Sequence, residues 1–253
     1  MFLGLAVWAS RLDAAEAWKE LKGDHFIIYH LGDDNFAGEV LRKSESYYQQ
    51  VSSDLGYARY SNFWQWENRV KIYIYPSQEE FLKATGEQKW SHGMANYTTK
   101  EIFSYAWREK FLGAFLPHEI THLIFRDYVG FKGEIPLWLD EGVAQWEEPE
   151  KRAVVKETMK SVLQKGKAFS LKELTRMDVR GSLDTEGTTY FYIQAASLID
   201  FLIKEYGAEN FTTFCRQLRD GKSLEEALKF AFPTSIRTIN ELEEQWKKFI
   251  LSA

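Results

Sequence analysis

Leu116-Pro117-His118-Glu119-Ile120-Thr121-His122-Leu123-Ile124, then a turn holding Gly130 and Gly133, then Pro136-Leu137-Trp138-Leu139-Asp140-Glu141-Gly142: from this stretch the rest of the chain can be read. On a helix, positions four apart share a face, so the imidazoles of His118 and His122 can meet one metal ion. Glu119 lies next to the first imidazole, close enough to reach a metal-bound water without ligating the metal. Glu141 follows His122 after eighteen residues. Two imidazoles, one carboxylate and one open position form a known catalytic zinc set. The two glycines allow a reversal, and Pro136 suits the start of a second helix that runs back past the first and delivers its carboxylate. Burying these three polar groups in apolar helices without an ion would be costly.

The composition narrows the chemistry further. Cys215 is the single cysteine, so an intramolecular disulfide and a multi-thiolate zinc site are both excluded. Any metal must be held mainly by His and carboxylate. The net charge of -5 makes nucleic acid and anionic lipid poor partners. With 45% hydrophobic and 27% charged residues, the 253-residue chain is a folded protein with a sizeable core. Met1–Ser10 is apolar but about half the length of a membrane span. With Ala15-Glu16-Ala17 behind it, it reads as the back part of an export signal, implying a secreted, periplasmic or cell-surface protein. It reads equally as the start of an N-terminal helix in a cytoplasmic protein, because Leu12–Leu21 has helical spacing.

Working outward, His25–His30 and Val70–Tyr75 are rich in β-formers and read as neighbouring strands. Asp33–Leu55 between them carries apolar residues at helical spacing and stops at Gly56, giving a β-α-β order. A strand or hairpin is expected across Gly93–Tyr105. Beyond residue 110 the pattern is helical: Leu112–Tyr128, Leu137–Glu148, Arg152–Gln164, Thr188–Tyr206, Ala208–Leu218, Leu224–Ala231 and Asn240–Ile250. No repeat or linker divides the chain. The expected fold is α+β, with a leader or helix over 1–20, an N-terminal lobe with a mixed sheet over 21–150, an all-helical lobe over 151–253, and a cleft between the lobes.

The spacing His-Glu-x-x-His, eighteen residues, then Glu in a Trp-Leu-x-Glu-Gly context resembles the gluzincin metallopeptidases, the thermolysin-like and aminopeptidase branch of the zincins. Small bacterial peptidase MA-like domains are most similar. They share Leu-Pro-His-Glu, here Leu116–Glu119, and a later Tyr-x-Gln-x-x-Ser-Leu helix, here Tyr192–Leu198. The resemblance implies a zincin fold and one zinc ion held by His118, His122 and Glu141. It also implies Glu119 as general base and a tyrosine of the helical lobe as donor to the developing oxyanion, Tyr192 first and Tyr190 as the alternative. The activity implied is hydrolysis of a polypeptide substrate. Aminopeptidases of this branch carry an acidic residue in a strand about where Gly93, Met94, Ala95 and Asn96 lie, to grip a free amino terminus. Ala95 stands at that place, so endopeptidase-like pairing of substrate with the strand backbone is expected instead.

Other readings are plainer. Asp140 is a candidate for orienting a ligand imidazole, as is Gln145, although Asp140 would also suit a helix N-terminus. Glu147-Glu148 ahead of Pro149 reads as a solvated face or turn. Trp138 and Trp146 read as packing residues, Cys215 as a small buried hydrophobe, and His25, His30 and His92 as inert. The rival to an enzyme is a non-catalytic, zinc-stabilised module that binds an extended polypeptide along the Gly93 strand.

Overall fold

The computed structural model describes residues 18–56, 64–89, 91–107, 110–131, 135–177, 179, 183–232, 234 and 236–252. Among these residues, alternation of apolar and polar side chains builds a five-stranded sheet. Its strands are β1 (Lys19–Lys22), β2 (Phe26–His30), β3 (Val70–Tyr75), β4 (Gly93–Asn96) and β5 (Glu101–Tyr105), in the order β1-β2-β3-β5-β4. The central strands β2, β3 and β5 are parallel, and β1 and β4 run antiparallel at the two edges. Register places Ile28 opposite Ile72 and Ile72 opposite Ile102, a row fully removed from solvent. Each such side chain contributes roughly 1.5–3 kcal/mol of burial.

Helix α1 (Asp34–Asp54) connects β2 to β3, as the β-α-β reading expects. The Asp33 carboxylate caps it by accepting from the backbone of Asn35 and Phe36. Its apolar stripe, Phe36, Val40, Tyr47 and Val51, packs into the same core as the sheet's buried face. A short α2 (Gln78–Thr85) follows β3. The predicted hairpin forms as β4 and β5, its turn held by Asn96 Oδ1 accepting from the backbone of Thr98 and Thr99.

The elements that follow among the described residues are helical: α3 (Leu116–Val129), α4 (Leu137–Glu147), α5 (Pro149–Gln164), the single turn α6 (Leu171–Leu174), α7 (Thr185–Tyr206), α8 (Ala208–Arg219), α9 (Leu224–Ala231) and α10 (Ile239–Leu251). Ser170, Ser223 and Thr238 start α6, α9 and α10 with capping boxes closed by Glu173, Glu226 and Glu241. One hydrophobic cluster runs from the sheet to α10.

Three sequence expectations are corrected. Helical spacing over Leu12–Leu21 gives way to strand β1 from Lys19, because Lys19–Lys22 pairs residue by residue with β2; Met1–Ala17 lies outside the described residues. The helix expected from Leu112 opens with a π turn over Phe111–Phe115 and becomes α-helical at Leu116; Pro117 has no N–H to give that turn, and Leu112 O accepts from the Tyr47 hydroxyl instead. The Glu147-Glu148 pair is not a solvated face. Both are buried, because the chain turns a corner at Pro149 that carries these carboxylates inward.

Candidate metal centre

Helix α3 aims His118 and His122 at one point, and α4 delivers Glu141 to it. Gly130, with φ +77, ends α3 in the left-handed conformation that lets the chain turn toward α4. Contact between α4 and α7 then fixes α4 in place: a Cβ at Gly142 would lie 2.9 Å from the carbonyl oxygen of Ala195. Trp146 anchors the far end by donating from Nε1 to Asp200 Oδ1 at 2.8 Å.

The two Nε2 atoms stand 3.1 Å apart, and Glu141 Oε2 lies 3.6 Å from that of His118 and 4.0 Å from that of His122. Ligand atoms around a tetrahedral zinc, with bonds of about 2.0–2.2 Å, are separated by roughly 3.3–3.6 Å. The observed separations bracket that range. The outer nitrogens strengthen the fit: His118 Nδ1 lies 3.0 Å from Glu148 Oε1, and His122 Nδ1 lies 3.0 Å from Asp140 Oδ1. A carboxylate can only accept, so each Nδ1 carries its proton, and each Nε2 offers a lone pair when its imidazole is neutral. With both imidazoles neutral, two lone pairs and a carboxylate oxygen converge on one point. That donor set suits a divalent cation, and His118, His122 and Glu141 form a group able to hold one.

Behind each supporting carboxylate stands a cation. Lys151 Nζ lies 2.7 Å from Glu148 Oε1, and Arg126 Nη2 lies 2.5 Å from Asp140 Oδ2. Arg126 also covers the face of Tyr97 at 4.5 Å from the ring centre, and the Tyr97 ring stands edge-on to His122 with centres 5.8 Å apart. Burial, and then the charges of Glu119 and Asp140, push the Tyr97 phenol well above its usual range. For His122, burial disfavours the charged form, but Asp140, Glu141 and Glu119 outweigh it and raise the pKa to about 9. Asp140 is driven the other way: burial would raise it, but His122 and Arg126 hold it below the usual carboxylate range.

Of the two candidate tyrosines, Tyr192 is half-buried, and burial followed by the charge of Glu141 raises it to about 12. The Tyr190 hydroxyl instead donates to Glu186, one turn back on its own helix. Glu119 sits in the first turn of α3, near enough for its charge to act on His122. Strand β4 is a sheet edge, and its Gly93 lies against the Phe115 ring, so closely that a Cβ would meet it at 2.2 Å. Asn96 spends its side-chain oxygen on the hairpin turn, so backbone groups are the main polar groups that Gly93–Asn96 can offer a ligand, beside the Asn96 amide nitrogen. His92 bonds to the Tyr105 hydroxyl and stacks on Trp107; His25 pairs with Glu45. Gln145 accepts from Lys151.

Lys151, Arg126 and Tyr97 join the site without a sequence expectation, and Glu148 joins it against the expectation of a solvated face. Glu148 follows Glu141 by seven residues, two helical turns on one face, and Arg126 follows His122 by four. Those spacings were a usable signal. Tyr97 carries no such signal, because only the hairpin's fold brings it to α3.

No helix among the described residues is long and apolar enough to cross a membrane. No curated protein matches the chain. The family model of the Peptidase MA superfamily matches residues 61–252, a span holding α3, α4 and the helical half that buttresses them, and the chain belongs to that superfamily.

Proposed function

We propose that this protein is a zinc-dependent metallopeptidase that hydrolyses peptide bonds within polypeptides. The observation carrying the proposal is the convergence of His118, His122 and Glu141, with both outer imidazole nitrogens tied to carboxylates. A zinc ion held by His118, His122 and Glu141 would supply a Lewis acid for the scissile carbonyl and lower the pKa of water toward neutrality. Glu119 takes the proton from the attacking water and passes it to the leaving nitrogen, so the amide is exchanged for a carboxylate and an amine. Tyr192, whose pKa of about 12 keeps it protonated, donates a hydrogen bond to the carbonyl oxygen as negative charge develops there. The open edge of β4 pairs with an extended substrate through backbone hydrogen bonds, and Ala95 offers no charge to hold a free amino terminus.

The test is elemental analysis together with cleavage mapping on a diverse peptide mixture. Wild-type protein carries one zinc ion and cleaves. Glu119→Gln keeps the zinc and loses roughly a hundredfold to ten-thousandfold of the rate. Zinc binding with no cleavage by the wild type would replace the enzyme with a polypeptide-binding module.

A further inference from the structure

Tyr97 does not behave as a packing residue. It sits in the turn between β4 and β5, is 36% exposed and stands outside the hydrophobic core. Its ring instead meets two members of the metal centre. The Arg126 guanidinium lies over the ring face at 4.5 Å, and the His122 imidazole stands edge-on to it at 66°, with centres 5.8 Å apart.

The guanidinium needs such a partner. Arg126 follows His122 by one turn of α3, and its Nη2 lies 2.5 Å from Asp140 Oδ2, while its buried Nε has no hydrogen-bond partner among the described residues. The other oxygen of Asp140, Oδ1, is 3.0 Å from His122 Nδ1. Arg126 therefore meets the carboxylate through one oxygen, and the two-pronged grip that would fix its plane is not made. A single hydrogen bond lets the group pivot, and a ring packed on its face stops the pivot. Contacts then run from the hairpin to Tyr97, from Tyr97 to Arg126, from Arg126 to Asp140 and from Asp140 to His122.

A second tie joins the same hairpin to the same helix. Lys100 Nζ lies 2.5 Å from Asp127 Oδ2, which also accepts from Trp64 Nε1 at 2.8 Å. That tie leads away from the metal centre, so docking of the hairpin and steadying of His122 are separable.

We propose that Tyr97 is a positioning residue of the metal centre, its ring fixing the plane of Arg126 so that Asp140 keeps His122 turned toward the ion. The inference rests on the metal-binding half of the metallopeptidase reading, and its test needs no cleavage. It gives the hairpin a second duty, because the strand expected to pair with a polypeptide runs directly into the residue that steadies a metal ligand.

The experiment measures Zn²⁺ and Co²⁺ affinity of the full chain by chelator competition, the visible spectrum of the Co²⁺ form, and the melting temperature of each variant without metal. Tyr97→Leu is expected to weaken binding about threefold to tenfold and to shift the Co²⁺ spectrum, whereas Tyr97→Phe, which keeps the ring, stays within about twofold of wild type. In an Asp140→Asn background Tyr97→Leu should cost nothing further, because the contact it acts through is gone. Lys100→Met should lower the melting temperature and leave affinity unchanged. Unchanged affinity in Tyr97→Leu, an equal loss in Tyr97→Phe or Lys100→Met, or a loss undiminished in the Asp140→Asn background would overturn the assignment and leave the metal centre standing. A wild type that binds neither ion would remove both. Metal binding with the expected pattern of losses, but no cleavage of any peptide, would keep Tyr97 in its role and sink only the peptidase.

Discussion

Glu147 and Glu148 are adjacent in sequence and opposite in circumstance. Glu148 is buried against His118 and compensated by Lys151. Glu147 is also fully buried, with Oε1 lacking a hydrogen-bond partner, and burial together with the nearby charge of Asp54 raises its pKa to about 8 despite Arg152. These circumstances give different expectations. Removing the charge that holds an imidazole, by Glu148→Gln or Asp140→Asn, should weaken zinc binding about tenfold to a hundredfold in a chelator competition. For Glu147 the sign runs the other way. Its pKa in an unfolded chain is near 4.5, so between there and about pH 8 the native state holds a proton that the unfolded state has released, and stability falls as pH rises. Glu147→Gln should flatten that slope and stabilise the protein at pH 8 by on the order of one to a few kcal/mol, measured by denaturant unfolding at pH 5 and pH 8. The convergence of His118 and His122 was legible because helical spacing alone aligns them, and the turn before Pro136 pointed Glu141 the same way. The environment of Glu147 and Glu148 was not. A run of charged residues beside a proline looks the same in sequence whether the corner faces solvent or core, and only the packing of α4 and α5 distinguishes the two.

At the scale of elements, the position of Glu141 depends on how closely α4 approaches α7. Gly142 permits that approach, since any Cβ would press on the Ala195 backbone at 2.9–3.0 Å. Alanine gains roughly 1 kcal/mol over glycine inside a helix, but overpacking against a backbone that cannot swing aside costs more. Gly142→Ala should therefore destabilise the fold by a net of about 1–2 kcal/mol and weaken zinc binding with it, both read from thermal melts with and without metal. Strand alternation and caps gave away most elements: β2, β3, the β4–β5 hairpin, α1 and the helices after residue 110 lie within a few residues of where periodicity puts them. Three escaped. β1 carries a polar, weakly patterned sequence and is made a strand by its partner β2, while α2 and α6 span only two turns and one, too short for a period to emerge.

For the whole molecule, a metal ion at this site would be a structural ligand as well as a chemical one, because it would tie the sheet-side helix α3 to the helical half through α4. Chelation should lower the melting temperature, and the loss should depend on pH. Zinc must displace the proton that His122 otherwise holds up to about pH 9, so apparent affinity should rise about tenfold per unit between roughly pH 6.5 and 9. The gap in melting temperature between loaded and stripped protein should accordingly be wider at pH 8 than at pH 6, by calorimetry at fixed free zinc.

That proton has a further meaning. Around the three donor atoms stand the carboxylates of Glu119, Asp140, Glu141 and Glu148, faced by the guanidinium of Arg126 and the ammonium of Lys151. A doubly positive occupant brings this cluster to electroneutrality, whereas the stripped cluster carries an excess of negative charge in a poorly hydrated place. The basicity of His122 is that excess expressed as hydrogen-ion affinity, which makes this histidine an intrinsic reporter: its titration, followed by NMR, would register the arrival of a dication.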